Sequence, residues 1–292
     1  MAPRVDCVLD VRARAGEGAI WSTAQKVLYW VDVPAGVVNR FDPGTGQNQR
    51  WEMGRPVGCV AETESGGLVA ALTDGFFALD PGSGDLTRLS GPAPEARGHR
   101  FNDGTVDPAG RFLAGTMPLA GPSESEATGT LYAFDGQTAC EVMGGFHTIN
   151  GLAFSMDGRT AYVSDSFPSV RTIWAYDYDT GTGTWSNGRV FFDTRTVAGR
   201  PDGGTIDADG CYWMAGVGGW QLLRITPAGK VDMDIPMPVE RPTRIAFGGR
   251  DLSTLYVTSI AVPDDPRQPL AGGLFALTVP GVSGVPMPRM RG

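Results

Sequence analysis

The sequence of 292 residues predicts an all-β fold, a six-bladed β-propeller with four-stranded blades around a central tunnel. Three observations predict it. A unit of two apolar strands joined by a Gly/Asp-rich turn occurs six times, and its second strands recur every 40 to 51 residues, a spacing typical of propeller blades. These second strands are predicted to begin near Leu28, Leu68, Phe112, Ala161, Tyr212 and Leu255. After each unit comes a third strand that ends in a turn rich in Asp, Pro and Gly. Glycine (42 residues) and proline (22 residues) are abundant, as a protein with many turns requires.

The repeat assigns the strands of each blade in order. The inner two strands lie in Gly18–Asp32, Cys59–Leu72, Gly104–Thr116, Gly151–Asp165, Gly204–Gly216 and Arg244–Ser259. The third strands lie in Asn39–Gly46, Phe77–Gly84, Leu131–Gly136, Ile173–Gly183, Leu222–Gly229 and Leu274–Gly281. A fourth, outer strand is expected after each, for example at Gln49–Glu52 and Gly188–Phe192. Asp6–Ala13 precedes the first unit and is expected to close the ring as the outer strand of the last blade.

The even repeat and the absence of a linker predict one domain over residues 1–292. Hydrophobic residues make up 41% of the sequence, which suffices for a large core. Pro118–Thr128, the only low-complexity stretch, is expected to be a loop between strands. The cysteines are far apart in sequence and without C-x-x-C spacing, so we expect reduced, buried thiols at Cys7, Cys59, Cys140 and Cys211.

Charge and hydropathy exclude several classes of partner. The net charge is −8 and no Lys/Arg cluster is present, so a nucleic-acid partner is not expected. No stretch approaches 18 apolar residues, so no membrane span is expected. The N-terminus lacks the apolar core of a signal peptide, and the expected location is the cytoplasm. A monomer that acts on a small molecule is expected.

Three oxygen-bearing residues stand directly before inner strands. They are Glu17 in G-E-G, Asn150 in I-N-G and Asp202 in P-D-G, and each of them alone is typical of an ordinary turn. Inner strands line the tunnel of a propeller, so these residues are expected to converge at one mouth. Two carboxylates and an amide oxygen suit a divalent cation with open positions for water and substrate. Calcium is the expected ion, and zinc, manganese, magnesium and ferrous iron are alternatives.

The string H-R-F-N-D-G-T-V-D-P is the most specific in the chain. It places Arg100, Asn102 and Asp103 at the same expected mouth. Arg100 is a fixed fork of donors, and Asn102 can both donate and accept hydrogen bonds. Such a set suits a ligand with many hydroxyl groups. A salt bridge between Arg100 and Asp103 that braces a turn is the alternative.

These strings resemble the gluconolactonase, regucalcin (senescence marker protein) and luciferin-regenerating enzyme family of six-bladed propellers. The resemblance covers about Gly16 to Leu277, with matching strings that include G-E-G-A-I-W, R-F-N-D-G-T-V-D-P-A-G-R-F, N-G-L-A-F-S-M-D-G and R-P-D-G-G-T-I-D-A-D-G. It implies that a divalent metal is bound by Glu17, Asn150 and Asp202.

The resemblance also implies how a sugar lactone is bound. Arg100 and Asn102 correspond to the residues that bind the lactone in that family, and Asp103 lies beside them. The family often has an acid after the G-T-M string that reaches the substrate. The sequence is diverged there, and Glu124 or Glu126 would be the candidates.

The predicted function is metal-dependent hydrolysis of the ester ring of a sugar lactone to the aldonic acid. Ring opening needs a polarised carbonyl, an activated water and a proton acceptor, and a metal ion supplies the first two. Asp202 is the expected proton acceptor and Asp103 the second choice. Arg100 and Asn102 are expected to position the ester through ring hydroxyls.

Two other functions stay open from the sequence. One is a metal-dependent esterase or phosphotriesterase with another substrate, and the other is a calcium-binding propeller without turnover. A serine hydrolase is not expected, because G-x-S-x-G is absent and the only histidines are His99 and His147.

Overall fold

The structure, a computed structural model, describes residues 3–291. Within that range, 24 strands form six antiparallel sheets of four strands, which are the blades of a six-bladed β-propeller. The first three blades comprise β2 (Gly16–Ser22), β3 (Val27–Asp32), β4 (Val37–Asp42) and β5 (Gln47–Glu52); β6 (Val57–Glu62), β7 (Leu68–Leu72), β8 (Gly75–Leu79) and β9 (Leu86–Arg88); and β10 (His99–Val106), β11 (Phe112–Pro118), β12 (Gly129–Phe134) and β13 (Ala139–Phe146). The last three comprise β14 (Ile149–Phe154), β15 (Thr160–Asp165), β16 (Thr172–Asp179) and β17 (Thr184–Asp193); β18 (Arg200–Ile206), β19 (Tyr212–Val217), β20 (Gln221–Ile225) and β21 (Val231–Pro236); and β22 (Pro242–Gly248), β23 (Thr254–Ser259), β24 (Leu274–Thr278) and β1 (Val5–Leu9). Short 3₁₀ turns lie at Pro94–Arg97 and Thr194–Thr196.

The first strand of the chain closes the ring. β1 pairs antiparallel with β24, with Val5 opposite Leu277, and so completes the sheet of the last blade. This confirms the expectation for the N-terminal segment, although the strand ends at Leu9 rather than Ala13. Six separate sheets thereby become a closed ring, in which the last blade joins both ends of the repeat.

The core lies between neighbouring blades, where aromatic side chains from adjacent sheets meet. The Trp21 ring stacks on Tyr256 at 5.5 Å between centroids, which joins the first blade to the last. Phe76 stacks on Phe134 at 4.6 Å between the second and third blades. Such contacts add to the burial of large apolar surfaces and fix the blades around the tunnel.

Each inner strand carries a β-bulge near its start. The pairing with the second strand of the blade shifts there by one residue, between Glu17/Ile20, Val57/Cys59, Phe101/Gly104, Asn150/Ala153, Pro201/Gly204 and Pro242/Ile245. A bulge interrupts the ladder and changes the direction in which nearby side chains point. The bulges therefore make this end of the tunnel irregular.

Two smaller findings complete the fold. The four cysteines are free thiols, and Cys59 and Cys211 are buried as expected; the expected burial is wrong for Cys7, which is half-buried, and for Cys140, which is exposed. Among the described residues, none of the helices has the length and apolar character needed to span a bilayer.

Candidate functional site

A cavity of about 350 Å³ lies at the end of the tunnel where the inner strands begin. We call it the polar cavity. Its polar lining comes from four blades and comprises Glu17, Arg100, Asn102, Thr148, Asn150, Ser166, Arg200 and Asp202. Its apolar lining comprises Ala15, Val33, Pro34, Pro56, Leu119, Val217 and Ile260. Of the residues that the sequence nominated for metal and substrate, all but Asp103, Glu124 and Glu126 line this one cavity.

The bulges place the three nominated metal ligands at two different positions. Glu17 and Asn150 are the last paired residues before their bulges, and each is followed by a glycine with positive φ, Gly18 at 58° and Gly151 at 64°. Asp202 is instead the first residue inside its bulge. The sequence predicted one equivalent position directly before the inner strands, and this is wrong: all three lie inside the strands, as the second residue of β2 and of β14 and the third of β18. Left-handed backbone is accessible to glycine at no steric cost, which allows the chain to turn directly after Glu17 and Asn150.

The two cavity carboxylates are electrostatically unfavourable to each other. Burial raises the pKa of Asp202 to about 8, and the negative charge of Asp103 adds to the rise. Burial also raises the pKa of Glu17 well above its usual value, followed by the charges of Asp202 and Asp103. Over residues 3–291, neither Glu17 nor Asp202 forms an ion pair with a basic side chain. A divalent cation between them would offset both the burial and the repulsion.

The donor set fits such a cation. Glu17 and Asp202 supply carboxylate oxygens and Asn150 an amide oxygen, the donor types that hard divalent ions prefer. No cluster of three His, Cys, Asp or Glu side chains exists in the described part of the chain. The site therefore depends on the amide of Asn150 as the third donor.

A chain of hydrogen bonds fixes the orientation of Asn150. Arg100 Nη1 donates to Asn102 Oδ1 at 2.8 Å, and Asn102 Nδ2 donates to Asn150 Oδ1 at 2.8 Å. Asn150 Nδ2 in turn donates to Ser166 Oγ at 2.8 Å. Asn102 therefore positions a nominated metal ligand, in addition to lining the cavity itself. This contact was not expected from the sequence, because the partners are 48 residues apart.

Asp103 lies outside the cavity lining. Arg244 Nη1 donates to its two carboxylate oxygens at 2.9 and 3.0 Å, and both side chains are only 1% exposed. The backbone N–H groups of Gly104 and Leu152 donate to the same carboxylate. The alternative of a salt bridge between Arg100 and Asp103 is wrong, because the cation paired with Asp103 is Arg244. The nominated roles of Asp103 in substrate binding and proton transfer stay predictions, and the geometry favours Asp202 for the second.

Three other side chains, those of His99, Glu124 and Glu126, lie near this mouth but away from the polar cavity. The His99 imidazole is hydrogen-bonded to the Arg97 carbonyl oxygen at 2.7 Å and to Thr128 Oγ1 at 2.8 Å. Glu124 and Glu126 are exposed and do not line the polar cavity. Leu119 is the residue of this loop that does so.

Three polar residues of this region were missed by the sequence analysis. Arg200 and Ser166 line the cavity, and Arg244 neutralises Asp103. A signal for Arg200 was present: in R-P-D-G it stands two residues before the bulge, as Arg100 does in R-F-N-D. No comparable signal existed for Arg244, since its partner lies 141 residues away.

The fold and the site define a class of protein, a six-bladed propeller with two carboxylates and an amide at one mouth of its tunnel. Within that class, the chain belongs to the SMP-30/gluconolactonase/LRE-like family, whose model matches residues 15–261. The resemblance stated from the sequence is thereby confirmed, and the lactonases among the relatives support hydrolysis of sugar lactones in general.

Individual relatives match over nearly the whole length. The chain is 39% identical over 288 residues to a 6-deoxy-6-sulfogluconolactonase of Pseudomonas putida, covering 96% of this chain and 97% of the relative. It is 37% identical over 290 residues to human regucalcin, covering 97% and 96%. Among solved structures, a regucalcin of Agrobacterium tumefaciens, described as a calcium-binding protein, superposes with a TM-score of 0.89 at 25% identity, covering 100% of this chain and 97% of that one.

Proposed function

We propose that this protein is a metal-dependent hydrolase that opens the ester ring of a sugar lactone to the aldonic acid. One observation carries the proposal. Glu17, Asn150 and Asp202 converge with Arg100 in a single cavity, and neither carboxylate has a basic side chain as a partner in residues 3–291. The family membership and the lactonase name of a relative that is 39% identical support the reaction class.

The proposed ion is calcium, held by Glu17, Asn150 and Asp202. The description of a solved relative as a calcium-binding protein supports this choice. When bound, a divalent ion supplies Lewis acidity for the ester carbonyl and lowers the pKa of water. Magnesium, manganese, zinc or ferrous iron would find the same oxygen donors.

The chain's own residues would perform the remaining steps. Asp202 has two oxygens, so one can hold the ion while the other accepts a proton from the attacking water. Arg100 uses only Nη1 for hydrogen bonds to the described protein, to the Phe101 carbonyl oxygen and to Asn102. Its Nε and Nη2 remain for ring hydroxyls or the carbonyl oxygen of a lactone.

The apolar lining has a complementary role. Pro34, Pro56, Leu119, Val217 and Ile260 surround the polar groups and displace water from around the ester. Charged groups interact more strongly where water is excluded. A cavity of about 350 Å³ is of the size that ligand sites for single small molecules have.

The test removes the ion with a chelator and then measures acid release from a set of aldonolactones as each divalent cation is returned. The spontaneous rate is subtracted for every lactone. We expect no turnover above this rate without metal and recovery with calcium or another divalent ion. Full activity of the metal-free protein would contradict the proposal.

Two results would favour another function over the proposed lactonase. Turnover of aryl esters or aryl phosphates, with none of the aldonolactones, would favour the esterase or phosphotriesterase. Tight calcium binding without turnover of any of these substrates would favour a calcium-binding propeller.

A further inference from the structure

Arg200 lines two adjoining spaces. It lines the polar cavity and also a groove of about 470 Å³ beside it. Val217 and Ile260 line both spaces as well, so the groove adjoins the cavity at these three residues. A ligand whose ring occupies the polar cavity therefore has room to extend past Arg200.

The Arg200 guanidinium has no partner among residues 3–291. It forms no hydrogen bond, its Nε is buried without a partner, and no carboxylate lies within 4.0 Å. The two fully buried arginines are neutralised: Arg224 pairs with three aspartates, and Arg244 with Asp103. The half-buried Arg200 acts through space on the Asp202 carboxylate, whose pKa burial raises and this positive charge lowers. Once a divalent ion is bound by Asp202, this guanidinium has no anion of its own, which is costly unless a ligand supplies one.

The groove itself is rich in positive charge. Arg171, Arg200 and Arg241 line it, against a single acid, Glu240, whose carboxylate lies 3.6 Å from Arg241. Four backbone carbonyl oxygens surround Arg171 Nη2 at 2.7 to 3.4 Å and accept hydrogen bonds from its two N–H bonds, which holds this guanidinium in place. The charge on this wall is therefore fixed and positive.

The charge balance of the polar cavity also favours an anionic ligand. The two negative charges of Glu17 and Asp202 would be cancelled by one divalent ion, and Asp103 is already cancelled by Arg244. Arg100 and Arg200 would then leave a lining with net positive charge. A neutral lactone leaves this charge unmatched, whereas a lactone with an acidic side arm matches it.

We propose that Arg200 forms a subsite for a second anionic group, so that the substrate is an aldonolactone with a carboxylate, sulfonate or phosphate at the end of its exocyclic chain. The inference rests on the proposed lactonase function and adds the charge of the substrate to it. The shared chemistry is a terminal oxyanion, which a planar guanidinium binds through paired hydrogen bonds.

A matched pair of lactones tests the subsite. Glucono-1,4-lactone and glucaro-1,4-lactone differ only at C6, which is a hydroxymethyl group in the first and a carboxylate in the second. We expect metal-loaded wild type to open the carboxylated lactone with the higher kcat/KM. Arg200→Gln should lower kcat/KM on this lactone by about ten- to a hundredfold, mainly through KM, and change the neutral lactone by less than about threefold.

Two further variants control for charge and for folding. Arg200→Lys keeps the positive charge but loses the planar guanidinium, so it should retain part of the preference for the carboxylated lactone. Arg189→Gln removes one positive charge from an exposed pair with Asp177, away from both spaces, and should leave the preference unchanged. Equal losses on both lactones in Arg200→Gln would overturn the subsite, as would a wild type that prefers the neutral lactone.

A binding experiment separates the subsite from catalysis. Titration calorimetry of the metal-loaded protein with gluconate, glucarate, 6-phosphogluconate and 6-deoxy-6-sulfogluconate compares the open acids without turnover. At least one of the three acids with a second anionic group should bind about tenfold or more tightly than gluconate, and that advantage should disappear in Arg200→Gln. The acid that binds most tightly identifies the group. If none binds better than gluconate, the inference is wrong even if lactones are opened. If these acids bind but no lactone opens, the proposed function fails and the subsite remains.

Discussion

The two ends of the tunnel are built by the same six inner strands, yet acids line only one of the two cavities described there. At the starts of the strands lies the polar cavity with its two carboxylates, its amides and its arginines. At their other ends lies a cavity of about 230 Å³ without an acidic side chain among the described residues of its lining, which we call the apolar cavity. Its lining includes Val106, Leu152, Phe154, Ile206, Met156 and the segment 285–288, together with the polar residues Thr105, Ser155, Thr205 and Arg244.

The β-bulges explain the difference. Beyond each bulge the inner strand pairs regularly with its neighbour and packs apolar side chains, as Ile20 and Val106 do. At the bulge or directly beside it, polar side chains reach the cavity: Asn102 and Asp202 lie inside their bulges, and Glu17 and Asn150 are the last paired residues before theirs. The ion pair of Asp103 with Arg244 lies between the two ends, because Arg244 also lines the apolar cavity. The nominated metal ligands therefore lie at the irregular end of a regular repeat.

The largest expected effect is at Asp202. Asp202→Ala removes a proposed ligand and the proposed proton acceptor together, so tight metal binding should disappear and turnover should fall close to the spontaneous rate. Asp202→Asn should keep part of the metal affinity and lose most of the rate, because an amide cannot accept the proton. Calorimetry with the metal and acid release from an aldonolactone measure the two effects.

The matched control for the Asp202 variants is a substitution of Met156, at the other end of the tunnel. Met156 lines the apolar cavity and is 59% exposed, so Met156→Ala should leave metal affinity and turnover unchanged. Near wild-type turnover in Asp202→Asn would show that the proton acceptor is another group.

The second prediction concerns pH and the metal-free protein. The pKa of Asp202 is raised from 3.8 to about 8 and that of Glu17 is also raised, so both acids are stabilised in the protonated form. Their contribution to stability is present below the unfolded pKa and is lost as the pH rises from about 4 to about 8. Metal must displace these protons, so its affinity should rise by up to about tenfold per pH unit for each proton displaced.

Urea unfolding at pH 5 and pH 8, with and without metal, measures this directly. The two acids should make the free energy of unfolding of the metal-free protein lower at pH 8 than at pH 5. Saturating metal should reverse this loss. Asp202→Asn should reduce the loss. Identical pH dependence with and without metal would mean that the ion does not bind at these carboxylates.

The third prediction concerns the ion pair between the two ends. Arg244→Met leaves the Asp103 carboxylate buried without its cation and should cost about 3–5 kcal/mol of unfolding free energy. The double variant Asp103→Leu/Arg244→Met removes both charges and should recover much of this loss. Denaturant unfolding of both variants checks the result, and a double variant less stable than Arg244→Met would contradict it.

The smallest effect is expected for Arg100→Lys, which keeps the charge and loses the planar fork. Turnover of an aldonolactone at low substrate concentration should fall about ten- to a hundredfold, while an unsubstituted lactone, which has no ring hydroxyls, should be affected much less. Metal affinity should change little. Equal losses on both lactones would mean that Arg100 acts on the carbonyl or on the Asn102–Asn150 hydrogen bond, and not on hydroxyls.

Much of the fold was predictable, because each blade repeats the same local pattern. The second strands begin within one residue of their predicted starts, as at Leu68 and Phe112, and the convergence of Glu17, Asn150 and Asp202 follows from the closed ring. The family was recognisable from polar strings that packing does not require.

What the sequence could not predict depends on contacts between distant blades. Asp103 and Asp202 both precede glycine in similar strings, yet only Asp103 finds a buried arginine, and that partner is on β22. The one-residue offset between Glu17 and Asp202 depends on which residue the bulge leaves unpaired. A repeat gives the position along the strand, but the side that a bulged residue faces is set by three-dimensional packing.

We expect a divalent ion to bind at the polar end of the tunnel and at no other place in it. Anomalous scattering from a crystal of the protein soaked in manganese would locate such an ion. One strong tunnel peak is expected, with oxygens of Glu17, Asn150 and Asp202 at about 2.0–2.6 Å. A tunnel without such a peak, or a peak only at the apolar cavity, would contradict this expectation.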